Sequence, residues 1–198
     1  MRLFTAIEIS PGVKDDFRND VKNNLRALLD RLRPAAKLTK LSWTRLDNLH
    51  ITTKFIGEWP EDRLEEMKRA LLSIGSPGAI QVSISGLGWF PNARNPCVLW
   101  AGVKAGEELR HLAQATDVAV HATGVAREDR EYSPHLTLAR IRDRMPSDAL
   151  NKLRSVIDSL GPAEFGSFRA TEFHLYLSAA GKYTKLAQYA LTQRHGLA

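Results

Sequence analysis

Between Arg2 and Ile9 apolar side chains fill almost every position, with Leu3, Thr5, Ile7 and Ile9 alternating against Phe4, Ala6 and Glu8, so the run reads as a strand largely buried on both faces. Pro11 then opens a helix through about Arg33, broken by Pro34. A basic loop with Lys37 and Lys40 leads into an extended piece at 41–44, a turn at Asp47-Asn48 and a second extended run from Leu49 to Gly57. Pro60 starts a helix to about Ser73, its Leu64, Met67, Leu71 and Ile74 recurring at helical spacing before the stop at 76–78. Strands are predicted over 79–88 and 97–103, with the turn-rich 89–96 between them. Gly106 to about Thr123 is a helix with Leu109, Leu112, Ala113, Thr116 and Val120 on its apolar side and Gly124 as its stop. Residues 132–141 are extended, Pro146 to Leu160 is a helix begun by a Ser147 cap, and Ala163–Leu177 and Tyr183–Leu191 are strands.

Strands and helices thus interleave in two halves of similar length, and the hairpin spacings favour antiparallel pairing over a doubly wound sheet, which makes the class α+β. No low-complexity linker separates the halves, so residues 1–198 are expected to form one domain. The longest uncharged run, Ala70 to Ala93, is punctuated by glycine, proline and serine and reads as loop plus strand, with no membrane span.

Composition adds boundaries. The 198 residues include 28 Lys plus Arg against 22 Asp plus Glu, a formal charge of +6, which favours an anionic partner without requiring one. Hydrophobic residues at 43% and charged residues at 25% place the chain in the globular range and away from disorder or coiled coil. The single cysteine, Cys97, excludes an internal disulfide and any cysteine-rich metal site and points to a reducing, intracellular setting. Glu8 falls where a signal peptide would need its apolar stretch to continue, so export by that route is not expected and the location is read as cytoplasmic.

Of six histidines, three begin a His-x-Thr tripeptide, at His50, His121 and His135. His121 sits near a helix C-terminus just before Gly124, where imidazole suits the dipole, and is read as structural. His50 and His135 lie in extended runs, where each shares a strand face with its threonine, Thr52 or Thr137. Two such pairs converging across a cleft would suffice for a reaction at phosphorus. One neutral imidazole would take a proton from the attacking water, one imidazolium would protonate the departing oxygen, and two hydroxyls would hold non-bridging oxygens. Thr53 stands where an aliphatic residue would complete the apolar inner face.

The chain resembles the 2H phosphoesterases, named for paired His-x-Thr motifs, and within them the RNA 2′,3′-cyclic phosphodiesterases, also called 2′–5′ RNA ligases. The resemblance is carried by Arg2-Leu3-Phe4 with Ala6-Ile7, by the segments 48–57, 86–91 and 98–103, and by Ser133-Pro134-His135-Leu136-Thr137-Leu138-Ala139-Arg140. Ser178 and 181–184 look like the family's closing hairpin, with Lys182 where proline is more usual. The resemblance implies a bilobal fold in which two pseudo-symmetric antiparallel sheets form a V-shaped cleft with helices outside and the motifs face each other within. It also implies metal-independent hydrolysis of a terminal 2′,3′-cyclic phosphate on RNA to a 2′-phosphomonoester, with no cofactor, and reversible joining of RNA ends through a 2′–5′ bond. His50 is assigned as general acid and His135 as general base. The implied partner is RNA bearing a cyclic phosphate or a 2′–5′ linkage, with no protein partner or membrane.

An anion whose charge builds as it opens calls for nearby cations. Arg130 is the first candidate; Arg140 falls on the face opposite His135 unless a bulge redirects it; Lys54 shares the face of His50 and Thr52. Trp43, Phe55, Trp89, Phe90, Trp100 and Tyr132 are candidate stacking aromatics, of which Phe55 and Trp100 read as core and Tyr132 as the best placed to touch substrate. Gly86-Leu87-Gly88 precedes no helix, so it is a strand end or bulge and no dinucleotide fingerprint. Two other readings compete with the phosphodiesterase. One is an RNA-binding or end-joining protein in which hydrolysis is secondary, and the other is a histidine metal site, for which no third ligand is evident.

Overall fold

The strand that opens the chain lies deep in the fold, between a strand from the first half and one from the end. A computed structural model describes residues 1–9, 20–36, 41–75, 77–143 and 145–191. In order these form β1 (Arg2–Glu8), α1 (Val21–Ala35), β2 (Leu41–Trp43), β3 (His50–Glu58), α2 (Leu64–Leu72), β4 (Ile80–Phe90), β5 (Val98–Ala105), α3 (Glu107–His121), β6 (His135–Ile141), α4 (Ser147–Asp158), β7 (Glu164–Ala170), β8 (Glu172–Ala179) and β9 (Lys182–Ala190). The helix opening at Pro11, the lysines at 37 and 40, and Ser76 lie outside the described residues. No helix among the described residues is long and apolar enough to cross a membrane.

The strands join antiparallel in the order β7-β4-β5-β6-β3-β1-β8-β9, with β2 pairing β6 off that path. Where two separate sheets were expected, one curled sheet is found, and its two halves meet at a seam with one registered pair, Ile51 of β3 opposite Leu136 of β6. The seam does not divide the chain into its sequence halves. One lobe takes β1, β3, β8 and β9 with α2 and α3; the other takes β4 to β7 with α1 and α4. The run expected as one strand from Ala163 to Leu177 is the reason. It breaks at Thr171, and its first part pairs with β4 while its second pairs with β1, Arg2 opposite Ser178 and Ala6 opposite His174. No glycine or proline marks that break, so apolar periodicity runs through it.

The helices cover the outer face. Leu25, Leu29 and Leu32 of α1, Met67 and Leu71 of α2, Leu109 and Leu112 of α3, and Leu153 of α4 are buried with Ile7, Ile51 and Leu136 in one continuous core. Each such side chain contributes about 1.5–3 kcal/mol on burial, which fixes which way every strand faces. Pro34 lies inside the last turn of α1 and does not break it, residues 61–63 form a 3-10 turn ahead of α2, and the N-cap position of α4 is Pro146, with no side-chain cap from Ser147. His121 does close α3, its Nδ1 2.8 Å from the Val125 carbonyl, and Gly124 follows at φ +99°.

Candidate active site

The seam sets the site. Ile51 and Leu136 face the core with no exposed surface, so their neighbours His50, Thr52, His135 and Thr137 project from the opposite, helix-free inner face. An antiparallel pair has a local two-fold axis, and extending the Ile51–Leu136 register by one residue each way sets His50 against Thr137 and Thr52 against His135. Each imidazole therefore neighbours the other motif's hydroxyl. Neither threonine hydroxyl makes a hydrogen bond among the described residues, and both stay partly exposed.

The histidines are oriented alike. His50 Nδ1 lies 2.7 Å from the carbonyl of Asn48 and His135 Nδ1 lies 2.8 Å from that of Ser133, in each case two residues upstream. A carbonyl only accepts, so each Nδ1 donates, and each Nε2 is left to exchange a proton with whatever occupies the face. Aromatic rings brace them. Phe4 and Tyr183 lie 4.9 and 5.2 Å from the His50 ring, and Phe90 lies edge-on 4.9 Å from His135 with Trp100 behind it at 5.2 Å. Gly88 permits that wall, because a Cβ there would lie 2.1 Å from the Trp100 indole. The neighbouring Gly86, at φ +71°, stands at the bulge in β4 that the sequence suggested.

Burial holds both imidazoles below their ordinary value of 6.5. The backbone hydrogen bond opposes this, and the Arg140 cation lowers both further, with His135 adding to the effect on His50. Arg140 reaches this position through a bulge. Leu99 pairs with Ala139 but Trp100 pairs with Thr137, so Leu138 and Ala139 both turn to the core and Arg140 rejoins the face of His135 and Thr137.

A matching irregularity in β3 has the reverse consequence for Lys54. Ala6 pairs with Thr52 and Thr5 with Lys54, so Thr53 and Lys54 both turn inward. Thr53 exchanges a 2.7 Å hydrogen bond with Thr5, and Lys54 is buried, 2.7 Å from Asp117 of α3 and 2.9 Å from the Ala126 carbonyl. The expectation that Lys54 faces the phosphate is thereby corrected, because alternation fails at the bulge. Phe55, expected in the core, is 54% exposed on the inner face and occupies the place in its motif that Arg140 holds in the other.

Tyr132 is likewise corrected. Its hydroxyl donates to the Thr52 carbonyl at 2.9 Å, and burial raises its phenol, so it straps the loop before β6 to the first motif and offers substrate no hydroxyl. Arg130 is exposed in that loop, and Arg140 is the arginine whose charge acts on both histidines. Among the described residues no three His, Cys, Asp or Glu side chains come together as metal ligands. Sequence reasoning missed Phe4, Tyr183 and Asp117. The alternation of Phe4 with Leu3 and Thr5 could have found the first, whereas the other two are set by long-range pairing.

A family model described as LigT like Phosphoesterase matches residues 16–100, the part holding the first motif. The RNA 2′,3′-cyclic phosphodiesterase of Methanocaldococcus jannaschii is 31% identical over 178 residues, covering 90% of this chain and 91% of that protein. The RNA 2′,3′-cyclic phosphodiesterase of Methanothermobacter thermautotrophicus is 30% identical, covering 96% and 99%. The crystal structure of E. coli LigT complexed with 3′-AMP superposes with a TM-score of 0.71 at 24% identity, covering 97% of this chain and 98% of that one, and so shares the fold.

Proposed function

Since this chain belongs to the LigT-like phosphoesterase family, we propose that its inner face hydrolyses the 2′,3′-cyclic phosphate at the end of an RNA strand to a 2′-phosphomonoester. The phosphodiester anion sits between the two Nε2 atoms. Arg140 and the hydroxyls of Thr52 and Thr137 hold its non-bridging oxygens, where negative charge accumulates as a fifth oxygen approaches phosphorus. Neutral His135 takes a proton from water as that oxygen bonds to phosphorus, and protonated His50 delivers a proton to the 3′ oxygen as its bond to phosphorus breaks. Solvent exchange then returns each imidazole to its starting state. Every proton and every developing charge in this sequence is assigned to a side chain, so no step calls on a metal.

The observation that carries this reading is the matched pair of Nδ1-to-carbonyl hydrogen bonds at equivalent places on either side of the seam. Both imidazoles start below their usual value, so the free protein holds them mostly neutral at pH 7. The bound anion favours protonation of one of them and so prepares the acid only when substrate is present. We infer a cytoplasmic setting, in which the exposed Cys97 stays a thiol.

The test uses purified protein in excess chelator with a short RNA bearing a 2′,3′-cyclic phosphate, followed by identification of the product end. Wild type is expected to give the 2′-phosphate and His135→Ala to give none at comparable times. Loss of wild-type turnover in chelator, a 3′-phosphate product or equal conversion by the variant would overturn the reading. RNA binding without conversion would favour the binding protein.

A further inference from the structure

A cavity of about 420 Å³ opens at the end of β6 away from His135, between the turn joining β4 to β5, the residues just past Ile141 and the first turns of α4. Three arginines line it, Arg94, Arg142 and Arg154, against one carboxylate, Asp143. None of the three guanidinium groups makes a hydrogen bond or ion pair among the described residues, and the Arg154 Nε is buried without a partner. A buried donor lacking an acceptor is costly, and native structures keep such groups where a ligand or solvent supplies the acceptor. Three forked donors converging from separate chain segments suit the several oxygens of a phosphate.

The cavity continues a line of positive charge from the seam. Arg140 stands beside the histidines, and Arg142, two residues on, falls on the same side by strand alternation and borders the cavity. From His135 to Ile141 the strand spans roughly 20 Å at about 3.3 Å per residue, a distance that several nucleotides of single strand cover and a mononucleotide does not.

We propose that this cavity is a second phosphate site, which takes a backbone phosphate of the RNA strand whose cyclic end lies between His50 and His135. The inference rests on the RNA reading above and deepens it. It makes the preferred substrate an oligonucleotide over a cyclic mononucleotide, and it gives the pocket arginines a positioning role without a part in bond breaking. A phosphate ion or free nucleotide shares the same chemistry, and the test separates the two sources.

The test measures fluorescence anisotropy of a labelled single-stranded RNA of about ten nucleotides, within the usual range of single-strand sites. Wild type is compared with the Arg94→Ala/Arg142→Ala double variant, whose replaced residues are both exposed and leave the core intact. The variant is expected to bind at least about tenfold more weakly. Its dependence of log Kd on log salt should be shallower by about 1.4, since each lost single-strand phosphate contact removes about 0.7. The ratio of kcat/KM for long RNA to that for a cyclic mononucleotide should fall with it. Arg154→Lys, which keeps the charge and loses the buried Nε, should show part of the loss.

Unchanged RNA affinity and salt slope in the double variant overturn the proposal. If inorganic phosphate titrates the cavity by NMR while RNA affinity is unmoved, the site belongs to free phosphate and the RNA assignment falls. If wild type hydrolyses no cyclic phosphate yet the double variant loses RNA affinity, the histidine reading fails and this site stands. If wild type hydrolyses it and the double variant keeps full RNA affinity, the histidine reading stands and this site fails.

Discussion

Replacing Lys54 with alanine should weaken the fold and spare the chemistry, although this lysine lies two residues from Thr52. Its ammonium is 5% exposed and 2.7 Å from the Asp117 carboxylate, itself 13% exposed, and it also donates to the Ala126 carbonyl. Removing one partner of a buried pair costs about 3–5 kcal/mol. Arg127 and the Glu128 N–H still hold Asp117 after the change, so about 3 kcal/mol is the expected loss. For a chain of this length that is a fall in Tm of about 6–12 °C, which calorimetry reads directly. Burial pushes the Asp117 carboxyl up, but the hydrogen bonds from Lys54 and Arg127 outweigh it and hold the group below its ordinary 3.8. A depressed carboxyl stabilises above its unfolded value and loses that contribution as pH falls through the folded one, so the gap in Tm should narrow below about pH 4. Meanwhile kcat/KM on a cyclic phosphate should stay within about threefold of wild type, as expected of a residue outside the reacting groups. A variant with unchanged Tm and activity down a hundredfold would refute this reasoning and return Lys54 to the phosphate.

Arg140→Ala should lower kcat/KM by about 10²–10³, the usual cost of a lost charge-stabilising donor, and should move the pH optimum upward because a cation that depresses both histidines is gone. Pure loss of activity with no pH displacement would mean that Arg140 does not face the imidazoles. Thr52→Val and Thr137→Val keep the strand shape and should each cost about 10–100-fold in kcat with little change in Tm, checked by steady-state kinetics on the cyclic phosphate. A phosphodiester with a p-nitrophenolate leaving group needs no acid, so His50→Ala should hydrolyse it within about tenfold of wild type while His135→Ala stays slower by about 10²–10⁴. The reverse order would exchange the two roles.

Much of the fold was legible because it rests on local signals. The Leu64–Met67–Leu71 spacing of α2, the Gly124 stop of α3 and the alternation around Ile51 and Leu136 all follow from periods of 3.6 and 2. The motifs were legible for the same reason, since strand alternation alone sends His50 and Thr52 to one face and Ile51 to the other. The pairings were not. A C-terminal strand beside β1 and the division at Thr171 depend on contacts far apart in sequence, and a break without glycine or proline leaves no local mark. At the site, the two bulges decide which cation serves the chemistry. One added residue in β6 brings Arg140 to the inner face, and its counterpart in β3 sends Lys54 to Asp117 and exposes Phe55. Sequence identifies the side chains on either side of a bulge but not the residue at which the partner strand forces it.

The pH dependence of kcat/KM in wild type, His50→Ala and His135→Ala probes the acid–base pair itself. Wild type should give a bell with its maximum on the acid side of 6.5, since both imidazoles are lowered and the optimum lies midway between them. His135→Ala should lose the rising limb, where the base ionises, and His50→Ala the falling one, where the acid gives up its proton, each with activity down by about 10²–10⁴. A bell that keeps both limbs in either variant would show that protons move through other groups, and the paired histidines would then be structural.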